Sequence, residues 1–192
     1  IYTAFELGKP VALRYPRGKG IGVPVKDGFE KIEHGRGEVV FRSHKNNTVL
    51  IVAIGNTVYP SIKAAEVLTQ EGIGVTVINA RFVKPLDIDL IALEAKNSKA
   101  VITVEENALS GGFGSAVLEG LGILSLQYPV LRIGIPDEFI EHGSQKIIRN
   151  KLKLDSEGIL EKSVQFLSKL NLAAKENKKR SFAKKVHSHN PS

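Results

Sequence analysis

The 192-residue chain contains no cysteine and no methionine. Without cysteine there is no disulfide framework, no thiolate nucleophile and no zinc–thiolate site, a composition compatible with a reducing compartment. Without methionine there is no initiator residue, and a start at Ile1-Tyr2-Thr3-Ala4-Phe5, in mid-pattern, reads as a piece of a longer polypeptide. No signal peptide is recognisable and no apolar run approaches the roughly 20 residues of a bilayer span, so a soluble molecule with no membrane partner is expected. Acidic charge is in deficit too, with 20 Asp and Glu against 27 Lys and Arg, a net charge of +7. Most of that excess sits at one end. Residues 175–192 hold six basic side chains (Lys175, Lys178, Lys179, Arg180, Lys184 and Lys185) against Glu176, a local +5 that leaves the rest of the chain near neutrality at +2. The tail lacks the apolar content to repay ordering and reads as a solvated, disordered end. Its single aromatic, Phe182, offers no stacking platform for single-stranded nucleic acid, and no nucleic-acid partner is expected.

What is present is a change of hydrophobic period. Residues 48–54 form a continuous β-branched run ending at Gly55-Asn56-Thr57, the pattern of a strand covered on both faces. From Tyr59 to Leu68 the apolar residues move to helical spacing at Ile62, Ala64, Ala65, Val67 and Leu68, with Thr57 as the expected cap and Pro60 in the first turn. Gly72 and Gly74 end that helix, and residues 75–79 give a second strand. A strand, a helix and a strand within about thirty residues imply a right-handed βαβ crossover and a parallel pair.

The rest of the chain is read around this unit. Residues 1–17 resemble the end of a preceding domain, with a strand expected at Val11-Ala12-Leu13-Arg14, and the glycine-rich stretch 19–36 reads as an interdomain linker. Residues 37–43 alternate and are expected to form an edge strand, joined to the central run by the turn His44-Lys45-Asn46-Asn47; a hairpin so short makes that strand antiparallel. Asp87 can cap a helix over 88–96. Further strands are expected at 100–104 and 129–133, a glycine-opened helix reaching about residue 125 lies between them, and closing helices start at Ser144 and Asp155.

Several residues could carry chemistry. In Arg14-Tyr15-Pro16-Arg17-Gly18, Pro16 keeps Tyr15 extended and Gly18 frees the turn, so Arg17 is presented at a strand end. A guanidinium there suits a phosphate gripped through two parallel hydrogen bonds, or it is a surface arginine paired with a carboxylate. Arg81 and Lys84 could hold an anion at a strand's carboxyl end, or serve packing and an ion pair. Glu105 and Glu106 are adjacent carboxylates, but neighbours on a strand point to opposite sides, which favours one structural group and one at an interface over shared proton chemistry. The helix opened by Gly111-Gly112-Phe113-Gly114 could hold an anion on its free N–H groups. As a dinucleotide fingerprint it is defective, with Val117 where the third glycine belongs. His44 and His142 read as turn residues, since neither has a partner at metal spacing.

Four stretches together resemble the 1-deoxy-D-xylulose-5-phosphate synthase family: Arg14-Tyr15-Pro16-Arg17-Gly18; Ala80-Arg81-Phe82-Val83-Lys84-Pro85-Leu86-Asp87; Val104-Glu105-Glu106-Asn107 with Gly111-Gly112-Phe113-Gly114-Ser115; and Gly134-Ile135-Pro136-Asp137 with His142-Gly143. Transketolase and the β subunits of 2-oxo acid dehydrogenase E1 components are the broader relatives and the alternative reading. The resemblance implies an α/β three-layer domain of the transketolase C-terminal type, with a five-stranded mixed sheet, mostly parallel with the first strand antiparallel, and helices on both faces. Its boundaries divide the chain into 1–18, the end of a pyrimidine-binding domain; 19–36, the linker; 37–174, the C-terminal domain; and 175–192, the basic tail. It implies a transferase that joins pyruvate to glyceraldehyde 3-phosphate with loss of carbon dioxide, for isoprenoid, thiamine and pyridoxal synthesis. That enzyme would be a cytoplasmic homodimer using thiamine diphosphate and Mg2+, with the cofactor, metal and catalytic residues on segments upstream of Ile1, so that the fragment alone is expected to be inactive. One site residue carries over, Arg17, as the ligand of the acceptor's phosphate.

Overall fold

The structure, a computed structural model, describes residues 1–16, 22, 27–44 and 46–172, apart from the Asn47 side chain. The β-branched run becomes β2 (Asn47–Ala53), with residues 49–53 fully buried, at the centre of a five-stranded sheet. It pairs in parallel with β3 (Gly74–Asn79) on one side and β4 (Ala100–Ala108) on the other, and β5 (Val130–Ile135) continues the parallel set beyond β4. The strand β1 (Glu38–Arg42) closes the opposite edge antiparallel to β3.

Because side chains alternate along a strand, β2 feeds two cores. Val49, Ile51 and Ala53 pack with Ala64, Ala65 and Leu68 of α2 (Val58–Gln70) and with Ile159, Leu160 and Leu167 of α6 (Ser156–Lys169). Leu50 and Val52 pack on the other face with Ile91 and Ala95 of α3 (Ile88–Ala95) and Phe113, Val117 and Leu121 of α4 (Phe113–Ile123). Two further helices, α1 (Tyr2–Glu6) and α5 (Gln145–Leu152), lie outside these layers. This is the three-layer mixed sheet that the sequence implied. Among the described residues no helix is long and apolar enough to cross a membrane.

Three local expectations are corrected. The polar turn after β1 does not make a hairpin, because β3 lies between β1 and β2. The connection steps over the start of β3, where Ser43 donates its N–H to the Val75 carbonyl at 2.9 Å and accepts the Val75 N–H on its hydroxyl at 3.0 Å. Thr57 does not cap α2 with its side chain: a 3-10 turn, Gly55–Thr57, leads into the helix. The Thr57 hydroxyl instead shares its proton between the carbonyls of Ile54 and Val104, each at 2.9 Å, which ties the turn to β4. Residues 11–14 are not a strand. A strand exists only by exchanging hydrogen bonds with an edge, and the sheet's two edges here are β1 and β5, neither of which this segment joins; it runs along a cleft instead.

The capping aspartate does more than its helix requires. Asp87, buried, accepts from the Leu90 N–H at 3.2 Å, from the Gly37 N–H at 3.0 Å and from Arg36 at 3.3 Å, so it fixes the start of α3 and the entry into β1 together. Asp87→Ala is expected to cost about 2 kcal/mol, the loss of a cap plus a second orphaned N–H. A lower urea midpoint at unchanged slope would show it, and Asp87→Asn, which keeps an acceptor, should lose less.

Candidate functional site

The parallel strands direct their carboxyl ends into a cleft of about 1220 Å³, open to solvent and walled on the far side by the N-terminal segment and α5. In open α/β sheets this edge is the usual ligand position. Three stretches far apart in sequence meet there: Arg14, Tyr15 and Pro16; Arg81 to Lys84; and Glu105 to Asn107.

The two adjacent carboxylates diverge. Glu105 is fully buried and accepts the Phe113 N–H at 2.6 Å and the Gly114 N–H at 2.8 Å, so it fills the N-terminus of α4. Burial pushes its carboxyl above the ordinary range, opposed by those two N–H groups and by the charges of Arg132 and Arg14. The expectation that α4 offers free N–H groups to an outside anion is therefore corrected: the anion is the protein's own. The glycines have the same cause. A Cβ on Gly112 would stand 2.1 Å from the Ala108 carbonyl oxygen and 2.5 Å from Glu105 Oε2, and one on Gly114 would stand 2.6 Å from Thr103 Oγ1. They bring helix and carboxylate together and form no nucleotide loop.

Glu106 faces the cleft. Its Oε1 accepts from Arg149 Nε of α5 at 2.5 Å and its Oε2 from Asn56 Nδ2 at 3.2 Å, while its backbone carbonyl accepts from Arg14 at 2.8 Å. Helix α5 is set in place by Ser144, whose hydroxyl accepts the Ile147 N–H at 3.4 Å. Nothing in the local pattern marks Arg149 or Asn56, because their partner lies 43 and 50 residues away in sequence.

Arg81, with φ 56°, follows β3 and ion-pairs with Glu38, which also accepts from Asn79 Nδ2 at 3.1 Å. Of the two open readings for Arg81, the ion pair is the one formed. Lys84 stays exposed at the lip. His44 and His142 are exposed, and among the described residues no three His, Asp or Glu side chains gather as a metal site. Arg17, the residue expected to grip a phosphate, lies outside the described residues, as do Gly18, most of the first half of the linker and the basic tail.

The family described as Transketolase, C-terminal domain matches residues 37–159. The chain is 47% identical over 165 residues to the 1-deoxy-D-xylulose-5-phosphate synthase of Thermomicrobium roseum, covering 86% of this chain and 26% of that protein. It is 45% identical over 168 residues to the enzyme of the same name from Halothermothrix orenii, covering 87% and 26%. Among solved structures it is similar to a split-gene transketolase in an inactive β4 tetramer, with TM-score 0.64 and 29% identity over 83% of this chain and 48% of that one. The chain thus spans only 26% of the length of these two curated relatives.

Proposed function

The chain belongs to the transketolase C-terminal domain family, and from that premise we propose that it is the C-terminal part of a 1-deoxy-D-xylulose-5-phosphate synthase. The whole enzyme then condenses pyruvate with glyceraldehyde 3-phosphate, releasing carbon dioxide, as a cytoplasmic homodimer that uses thiamine diphosphate and Mg2+. The observation that carries the reading is the convergence of three sequence-distant stretches on one cleft, with Pro16, the residue before Arg17, on its wall. The similarity to the synthases named above runs over most of the chain and supports the same reading.

The described residues do not fit the cofactor. Mg2+ and a diphosphate need oxygen ligands and free backbone donors, whereas no carboxylate cluster forms among the described residues and the glycine-opened helix end is filled by Glu105. The role of this part lies on the acceptor side. Arg17 grips the phosphate of glyceraldehyde 3-phosphate, and the domain behind it supplies the wall.

Arg17→Ala in the full-length enzyme tests this. Losing a charge-assisted fork should raise KM for glyceraldehyde 3-phosphate about 100-fold and leave KM for pyruvate within about twofold. Equal effects on both substrates would refute the assignment.

A further inference from the structure

We propose that Arg14 is a second guanidinium of the phosphate subsite, oriented by the Glu106 carbonyl and kept chargeable because Arg149 and Asn56 hold the Glu106 carboxylate. The proposal rests on the acceptor-side reading above and adds a binding residue to it.

Three observations carry it. Arg14 lines the cleft three residues before Arg17, and its side chain is fixed by one hydrogen bond, at 2.8 Å, to a backbone carbonyl. A carbonyl orients a guanidinium without cancelling its charge. Among the described residues Arg14 has no ion-pair partner, whereas the other two arginines on the cleft are each taken by a carboxylate, Arg81 by Glu38 and Arg149 by Glu106. The carboxylate nearest in sequence to its carbonyl partner is turned aside: both oxygens of Glu106 are occupied, one by Arg149 and one by Asn56. Glu105 is also engaged, by two backbone N–H groups.

The chemistry follows from these positions. A guanidinium presents five donors in a planar fork, and one bond to a carbonyl leaves the rest for an incoming anion. A phosphate dianion offers more acceptors than one arginine can satisfy, so two forks on one short segment divide them. The Arg149–Glu106 pair contributes at one remove, as a positioning pair that keeps a competing carboxylate off Arg14.

The test uses the full-length enzyme with two acceptors, glyceraldehyde 3-phosphate and unphosphorylated D-glyceraldehyde. Arg14→Gln should raise KM for the phosphorylated acceptor about 10- to 100-fold and change neither KM for pyruvate nor the kinetics with D-glyceraldehyde by more than about twofold. Arg14→Lys, which keeps the charge and loses the fork, should fall between. Arg149→Gln frees Glu106 to swing toward Arg14, so it should reproduce part of the penalty, and adding Glu106→Gln should relieve it. An Arg14→Gln defect equal for both acceptors, or no defect, overturns the proposal. An Arg149→Gln defect that persists in the double variant overturns the positioning part. If Arg14→Gln shows the phosphate-dependent loss and Arg17→Ala does not, this inference stands and the assignment of Arg17 falls; the reverse outcome removes Arg14 alone.

Discussion

Glu105→Ala is expected to destabilise this chain by about 3–5 kcal/mol, more than any surface substitution in it. The carboxylate is fully buried and receives the first N–H groups of α4. Alanine would leave two donors in a dry site, at about 1–3 kcal/mol each, and open a void where the side chain was. Arg132 would lose a facing charge but keep the Leu109 carbonyl at 2.8 Å and Ser115 Oγ at 3.0 Å, so the damage should centre on α4. Urea unfolding followed by far-UV circular dichroism measures it.

Titration gives the same residue a second signature. Its carboxyl lies above the ordinary value near 4.5, with burial the largest cause. A carboxyl raised in the folded state binds more proton there than in the unfolded chain. Its contribution to stability is therefore fully present below the ordinary value and declines as pH rises through the elevated folded one. Glu105→Gln cannot titrate, so the difference in stability between wild type and this variant should shift against the wild type as pH rises through that window. A difference that is flat with pH would show an unperturbed carboxyl.

Gly112→Ala is expected to be the other severe substitution, at about 3 kcal/mol or more. Its φ of −82° suits any residue, so the obstacle is space and not backbone strain. The new methyl would sit 2.1 Å from a backbone oxygen of β4, which cannot rotate away. Relief needs the start of α4 to lift from the sheet, and that breaks the Glu105 bonds. The two lesions therefore share a mechanism, and Glu105→Ala combined with Gly112→Ala should cost less than the sum of the singles. A strictly additive double variant would refute the shared mechanism. Gly122→Ala is the control: nothing lies within 4 Å of its added methyl, and helix propensity favours alanine.

How far the sequence could be read follows from which interactions are local. Residues 49–53 announce a central strand because burial on both faces removes every polar position, and that needs no knowledge of partners. Ser144 and Asp155 announce helix starts because a cap and its N–H lie three residues apart. Strand order has no such signal. The four residues after β1 look like a hairpin turn, and only the β3 pairing, more than thirty residues further on, shows otherwise. Thr57 sits where a cap belongs, but the Val104 carbonyl, 47 residues away, competes for its hydroxyl. In the cleft, the divergence of Glu105 and Glu106 follows from strand geometry alone. The groups each one meets, α4 for the first and Arg149 for the second, are brought by elements whose placement only the folded sheet defines. The glycine run drew attention as a ligand loop for the same reason, since its true neighbour is a side chain eight residues earlier that must first be buried.

The interleaving of β1, β3 and β2 also sets a schedule for biosynthesis. Emerging from a ribosome, the chain presents β1 and β2 first, yet neither is the other's neighbour, and the slot between them stays empty until residues 74–79 arrive. Until then two apolar strands sit side by side with a short polar connection that would allow them to zip together wrongly. Translation speed through α2, whose thirteen residues separate the two events, thus decides how long the nascent domain is open to mispairing.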